Sequence, residues 1–370
     1  QAWNLTRIND QLLLGHHDGA FVINDNNAVP ISAKAGFWNF VPLSATFPAS
    51  EIVAGNYTSL QFFDFKNQQF IPSNEVPGFV ESSRFVTIEE YDDIWVSHPY
   101  NGVYHVVQGS EESFKIITYT DKHGLPSILN NHEYKVKNMV VAATEKGIYT
   151  FNRTAKKFEP SAYYKKILGN QSIRYLQEDA AGNIWFIHDK TIGVIDFSGK
   201  EANVIYLPEL NTKMLSGFEF IYPVNENNIF LGGEKGFFHI NYEKYKQTSP
   251  NLQVRIHAVR IINKSDSLLF GGYFKGINEK QIQDADAVPE VTNKWKNISF
   301  EFSSPLFGLQ SNLEYSYWLR GFDKDWSDWA KRTEKEYTNL SAGNYSFEVK
   351  VRNNLGNESA VAVYNFEILP

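Results

Sequence analysis

Apolar and polar positions along this chain recur in short bursts: an apolar strand, a polar turn, then glycine and a second apolar-aromatic strand. The pattern reads LLLGHHDGAFVI from Leu12, IVAGNYTSLQFF from Ile52 and IWVSHPYNGVYHV from Ile94. It returns as MVVAATEKGIYTF from Met139, IWFIHDKTIGVIDF from Ile184 and IFLGGEKGFFHI from Ile229. The copies repeat every ~40–46 residues, the period of propeller blades. The position after the turn is held by Gly19, Ser59, Gly102, Gly147, Gly193 and Gly236. Glycine is expected there if the chain needs positive φ between two paired strands. A further apolar stretch precedes each core, as in IRYLQEDAAGN before Ile184, and a fourth often follows, such as SFKIITY from Ser113. Four short strands per unit, with no amphipathic helix, predict a β-propeller of which six blades are visible. Chance glycine spacing in a sandwich does not explain six copies in register.

The blade register stops after Ile240. The polar stretch NYEKYKQTSPN (Asn241 to Asn251) is expected to be a linker, which divides the chain into blades over 1–247 and a second domain over 248–370. Strands lengthen beyond it. Tyr345, Phe347, Val349 and Val351 alternate with Ser346, Glu348 and Lys350, the signature of a strand with one buried face. Several such strands predict an immunoglobulin- or fibronectin-like β-sandwich. The fold class is therefore all-β.

Composition removes whole classes of chemistry. The chain holds 28 Phe, 20 Tyr and 8 Trp among 370 residues, in keeping with strand-rich folds. With no Cys, disulfides, thiolate metal sites and cysteine nucleophiles are excluded. A net charge of −7 argues against a nucleic-acid groove. No apolar run reaches the ~18 residues of a membrane span; the densest, Met139 to Ala143, reads as a buried strand.

The stretches GLPSILNNHEYKVKNMVVAATEKGIYTF and IRYLQEDAAGNIWFIHDKTIGVIDF resemble the two-component regulator propeller repeat, with Ile187 where that repeat usually has Gly and no turn glycine in blade 2. LEYSYWLRGFDKDWSDWAKRTEKEYTNLSAGNYSFEVKVRNNLGN resembles the three-Tyr (Y_Y_Y) domain. The matching positions are Tyr315, Tyr317, Leu319, Gly321, Phe322, Asp323 and Trp326, then Tyr337, Thr338, Asn339, Leu340, Gly343, Tyr345, Phe347, Val349 and Asn353. Arg320 stands where Glu is common. The tyrosines read as packing residues whose hydroxyls need partners, with Trp326 and Trp329 covering an edge.

The resemblance implies the periplasmic sensor region of a membrane-anchored, often hybrid, two-component histidine kinase. It further implies a homodimer, a carbohydrate breakdown product as ligand, a membrane anchor just after Pro370, and further N-terminal blades in a larger propeller region. A one-component helix-turn-helix transcription regulator is the alternative output, and a propeller polysaccharide-active enzyme a third reading. The propeller's few arginines (Arg7, Arg84, Arg153, Arg174) and the lack of an evident acidic pair give catalysis no support.

If the first strand of each blade lines the channel, the hairpin turns and blade-to-blade loops share one face. The ligand candidates there are Trp38, Tyr57, Arg84, His98, Tyr100, His123, Asn131 and His188, a set suited to hydroxyl-rich or anionic molecules. His16, His17 and Asp18 invite a metal reading, but neighbours on a tight turn point apart, so no metal site and no cofactor are expected. DAAGN (Asp179 to Asn183) and EYDD (Glu90 to Asp93) belong to the opposite face; the first is similar to the structural Asp-box turn of sialidases.

Overall fold

A computed structural model describes the chain except residues 92, 110–112, 248–250, 263–265, 273–282, 284–286, 293, 296 and 307–309. Its first part is six antiparallel sheets in chain order, residues 2–32, 39–75, 85–119, 132–160, 173–206 and 221–240, here blades 1 to 6. Blades 1 to 5 have four strands each, and blade 6 has three among the described residues. The β-propeller expected from the repeats is present.

The chain forms two compact units: residues 1–204 with 212–240, and residues 205–211 with 241–370. The sequence boundary at 247/248 lies past this division. Much of the expected linker is instead a short helix, α2 (Tyr242–Gln247), followed by residues 248–250 outside the described set. Another short helix, α1 (Ala162–Leu168), joins blades 4 and 5, with the Ser161 side chain accepting from the Tyr164 amide at its start. Both helices correct the helix-free reading. They are too short for an apolar stripe to declare itself in the sequence.

The turn glycines divide by role. Gly19, Gly102, Gly147 and Gly236 have positive φ as expected. Gly193 does not; the blade 5 turn falls at Asp189 (φ 51°), and Gly193 sits inside the strand Thr191–Asp196 opposite Phe186. A Cβ at Gly193 would lie 2.4 Å from the Phe186 ring, so the residue is small to admit an aromatic ring rather than to turn the chain.

Buried polar groups staple the blades on the face away from those turns. Asp179 Oδ1 accepts from the Ala181 and Asn183 amides, while Oδ2 accepts from the Asn183 side chain and from Trp185 Nε1 at 3.0 Å. Blade 3 repeats the device with other residues. Trp95 Nε1 donates to Glu89 at 2.9 Å, Arg153 pairs with Glu89 and Asp93, and His105 stacks on Trp95 at 4.0 Å while bonding Asp93. Both clusters are spent on structure. Asp92 of the Glu90–Asp93 run lies outside the described residues.

The second unit is a sandwich of two four-stranded sheets. One contains Arg255–Ile261 and Ile298–Ser303; the other contains Leu313–Arg320, Gly343–Asn353 and Ala362–Ile368. Phe300, Phe302, Phe347, Tyr364 and Phe366 fill the space between the sheets. The matched tyrosines pack as expected. Tyr315 accepts from the Ser304 amide at 3.0 Å, and Tyr345 donates to the Ser341 carbonyl at 2.9 Å. Tyr337 donates to Asp323 Oδ2 at 2.6 Å, and the same oxygen accepts from the Leu319 amide. That pair explains why the Gly-Phe-Asp turn and the second tyrosine belong to one pattern.

Candidate functional site

The first strand of each propeller blade packs against the first strand of the next, from blade 1 through blade 6. These strands line an axial channel, as the hairpin order requires. At one end lies a cavity of about 530 Å³, walled by residues of the first strands of blades 1 to 5 and by Phe218–Phe220, just ahead of the first strand of blade 6. Its lining includes Trp3, Trp38, Arg84, Phe85, Glu133, Tyr134, Tyr175 and Phe218.

One wall is aromatic. Trp3 and Trp38 lie 4.6 Å apart between ring centroids, and Trp38 meets Tyr57 edge-on at 5.2 Å. The Tyr57 hydroxyl accepts from Trp3 Nε1 at 3.1 Å and sits 2.9 Å from His17 Nδ1. Gly36 (φ 80°) makes room for this arrangement, because a Cβ there would fall 2.1 Å from the Tyr57 ring. The Trp38 indole donates to Ser82 Oγ at 3.3 Å. Rings fixed in this way offer flat apolar faces with little entropy left to lose on binding.

Two opposite charges line the mouth, Arg84 and Glu219. The Arg84 guanidinium lies 4.5 Å from the Phe218 ring centroid, 5.0 Å from Phe85 and 5.6 Å from Trp38, and it donates to the Gly217 carbonyl. Loss of hydration among these rings lowers its pKa, opposed by the nearby Glu219 charge. Arg84 has no direct ion pair among the described residues, while Glu219 in the same lining acts on it through charge alone.

Below it is an uncharged carboxyl. Glu133 is buried, and burial pushes its pKa up to about 8, so it holds its proton at neutral pH. Oε2 accepts from Ser97 Oγ, which in turn accepts from the Glu133 amide at 2.8 Å; Oε1 has no partner among the described residues. Neighbouring His132 stacks on Phe85 at 4.1 Å and is pushed down to about 4 by burial, hence neutral. Tyr134 donates to the Arg174 carbonyl and Tyr175 to the Ile221 carbonyl, each bond tying one blade to the next.

Of the eight residues singled out by sequence, Trp38, Tyr57 and Arg84 come together here. The other five stand elsewhere. His98 packs near Glu81 and Tyr104, Tyr100 is exposed on its turn, and His123 Nδ1 accepts from the Thr120 amide at 3.1 Å. Asn131 is fully buried and donates to the Ser127 carbonyl at 2.8 Å, while His188 holds the Ser172 carbonyl at 3.1 Å. None of the five lines the mouth. Trp3, Phe85, Glu133 and Phe218 do, and were not singled out. Phe218 had a signal, since Gly217-Phe218-Glu219-Phe220 echoes Gly36-Phe37-Trp38-Asn39-Phe40, and both glycines have φ near 80° (80° and 81°).

Residues 306–369 match the model of the Y_Y_Y domain family. The second unit carries a Y_Y_Y domain. A 185-residue stretch, half of the chain, is 28% identical to histidine kinase P4 of Formosa agariphila, covering 13% of that kinase. The extracellular domain of a proposed hybrid two-component system from Bacteroides thetaiotaomicron shares the fold over the whole chain, with a TM-score of 0.62 at 18% identity, and this chain spans 55% of it. The resemblance drawn from the repeats and from the tyrosine pattern is borne out. The chain thus spans only part of the proteins it matches, a small part in the kinase.

Proposed function

We propose that this chain is the ligand-sensing, extracytoplasmic part of a membrane-anchored two-component histidine kinase. Its ligand is a carbohydrate breakdown product bearing an acidic group, held at the axial mouth of the propeller in the periplasm. The observation that carries the reading is the mouth itself: fixed indoles and phenyl rings around a guanidinium that makes no direct ion pair among the described residues. Sugar rings present apolar C–H faces that stack on such rings, and an acidic substituent would give the guanidinium a directly bonded carboxylate. The similarity to a curated histidine kinase supports the signalling half of the reading. The fragment is assigned no catalysis. Binding shifts an equilibrium between two arrangements of a dimer, and the Y_Y_Y domain relays it toward the membrane.

The test is calorimetry with uronate-containing and neutral oligosaccharides. Trp38→Ala should weaken binding at least ~10-fold for either class, the worth of one good ring contact. Arg84→Gln should weaken the acidic ligands ~10- to 100-fold and barely change the neutral ones. Equal loss for both classes with Arg84→Gln would remove the acidic group from the proposal; loss of folding in step with binding would reduce Trp38 to a packing residue.

A further inference from the structure

The channel continues from the mouth into a second cavity, of about 650 Å³. Asn39, Phe85 and Tyr175 line the mouth, whereas Val41, Glu89 and Gln177, later in the same three strands, line the second cavity. The first strands of blades 2, 3 and 5 therefore run alike from one cavity to the other. Val86, Thr87 and Tyr134 belong to both linings, so the two cavities meet midway along the axis. The row of side chains joining them stays accessible. Phe85, Thr87 and Glu89 are part-buried, while the alternate residues Val86 and Ile88 are buried in the core between blades. Tyr134 of blade 4 is part-buried as well.

A third cavity, of about 400 Å³, carries the path on, sharing Pro42, Ser44 and Ala45 with the second. Its lining includes Phe47, which is 76% exposed and gives the exit an open aromatic face. Between the two ends the wall is mixed. Val41 and Leu176 supply apolar surface, while Thr87, Gln177 and the exposed Glu90 and Lys135 supply polar groups. Such a wall suits a chain that alternates C–H faces with hydroxyls. The strand Phe85–Glu90 alone spans roughly 17–20 Å, farther than a disaccharide reaches from Arg84.

We infer that the three cavities form one bore for a linear oligosaccharide, whose acidic end is held at Arg84 and whose chain passes Thr87 and Tyr134 and emerges at Phe47. The inference rests on the ligand class proposed for the mouth and adds to it a length and a direction. The acidic end lies at the mouth because Arg84 stands there without a direct ion pair among the described residues. The rest of the chain follows the axis because the accessible row of blade 3 leads from Phe85 to Glu89 and the second cavity opens onto the third. Length thereby becomes a criterion of recognition: a chain that stops short of Phe47 forgoes the contacts of the far end.

The test is calorimetry with one series of linear uronate oligosaccharides, from disaccharide to hexasaccharide. Affinity should rise by at least ~10-fold across the series and level off once the chain spans the bore. Phe47→Ala should weaken the longest chains by about 3- to 10-fold, the worth of one ring contact, and leave the disaccharide, which does not reach it, as before. Thr87→Trp fills the bore midway and should hold every chain at the affinity of the disaccharide, with circular dichroism checking that the variant folds. Arg84→Gln should weaken all lengths alike. Affinity independent of length, with Arg84→Gln still harmful, overturns the bore and leaves the mouth standing. A gain with length that survives Phe47→Ala and a folded Thr87→Trp places the chain outside the bore and overturns it too. Binding at no length, or binding indifferent to Arg84→Gln, overturns the bore and the mouth together.

Discussion

Phe300→Ala lowers the stability of the Y_Y_Y unit by about 3–5 kcal/mol, the usual cost of emptying a phenyl-sized space in a closed core. Phe300 is fully buried and lies flat on Phe347, with ring centroids 4.0 Å apart and planes 10° from parallel. Tyr337, Tyr364 and Phe366 surround the same ring at 5.9–6.3 Å. The two rings come from opposite sheets, so the loss falls on the packing between them, which no disulfide reinforces because the chain has no Cys. Collapse around the hole is limited on one side because the Tyr337 ring is held through its hydroxyl by Asp323. Phe300→Leu keeps most of the volume and should cost less than about half as much. Urea unfolding followed by near-ultraviolet circular dichroism reads both, and a cost below about 1 kcal/mol for the alanine would show that Phe300 is not central to the core.

The second large effect is a pH dependence carried by Glu133. Its carboxyl ionises near its ordinary value of 4.5 in the unfolded chain and at about 8 when buried. Between these values the folded state holds a proton that the unfolded state has released, so stability falls as pH rises through the window and stays low above it. Each unit of difference is worth about 1.4 kcal/mol, so the full fall amounts to several kcal/mol. His132 acts in the opposite sense: its pKa drops from 6.5 to about 4 on folding, so its contribution is lost as pH falls through that range. The two slopes oppose each other where the windows overlap. From pH 6.5 to 8 Glu133 acts without that opposition. Glu133→Gln keeps the shape, removes the ionisation and should flatten this part of the profile. An unchanged slope in the variant would mean that Glu133 ionises normally in the folded protein.

The repeats made the propeller legible because a blade is a local object: two apolar strands and a turn leave their trace within about a dozen residues. The Y_Y_Y pattern was legible for a similar reason, since Tyr315, Tyr337 and Tyr345 each need a fixed partner and that fixes their spacing. The mouth was only half legible. Trp38, Tyr57 and Arg84 could be picked out as aromatic or charged residues in blade-to-blade loops and turns. Glu133 could not, because an acidic residue in a strand reads as solvent-facing until a neighbouring blade covers it with Ser97. His98, His123, Asn131 and His188 show the converse. Each of these polar side chains is engaged with backbone, His98, His123 and Asn131 within their own turns or loops and His188 at Ser172. Gly193 misled for a different reason, since a strand glycine under a ring and a turn glycine look identical in sequence.

The central claim is that ligand sits among the rings at the axial mouth, and the indole N–H resonances of the eight tryptophans report on it directly. On titration with an oligosaccharide that binds by calorimetry, the Trp3 and Trp38 signals should move and saturate with the binding curve. The signals of Trp185, bonded to Asp179 in blade 5, and of Trp326 in the sandwich should stay in place. Saturable binding that leaves Trp3 and Trp38 unmoved would place the ligand elsewhere and contradict the account.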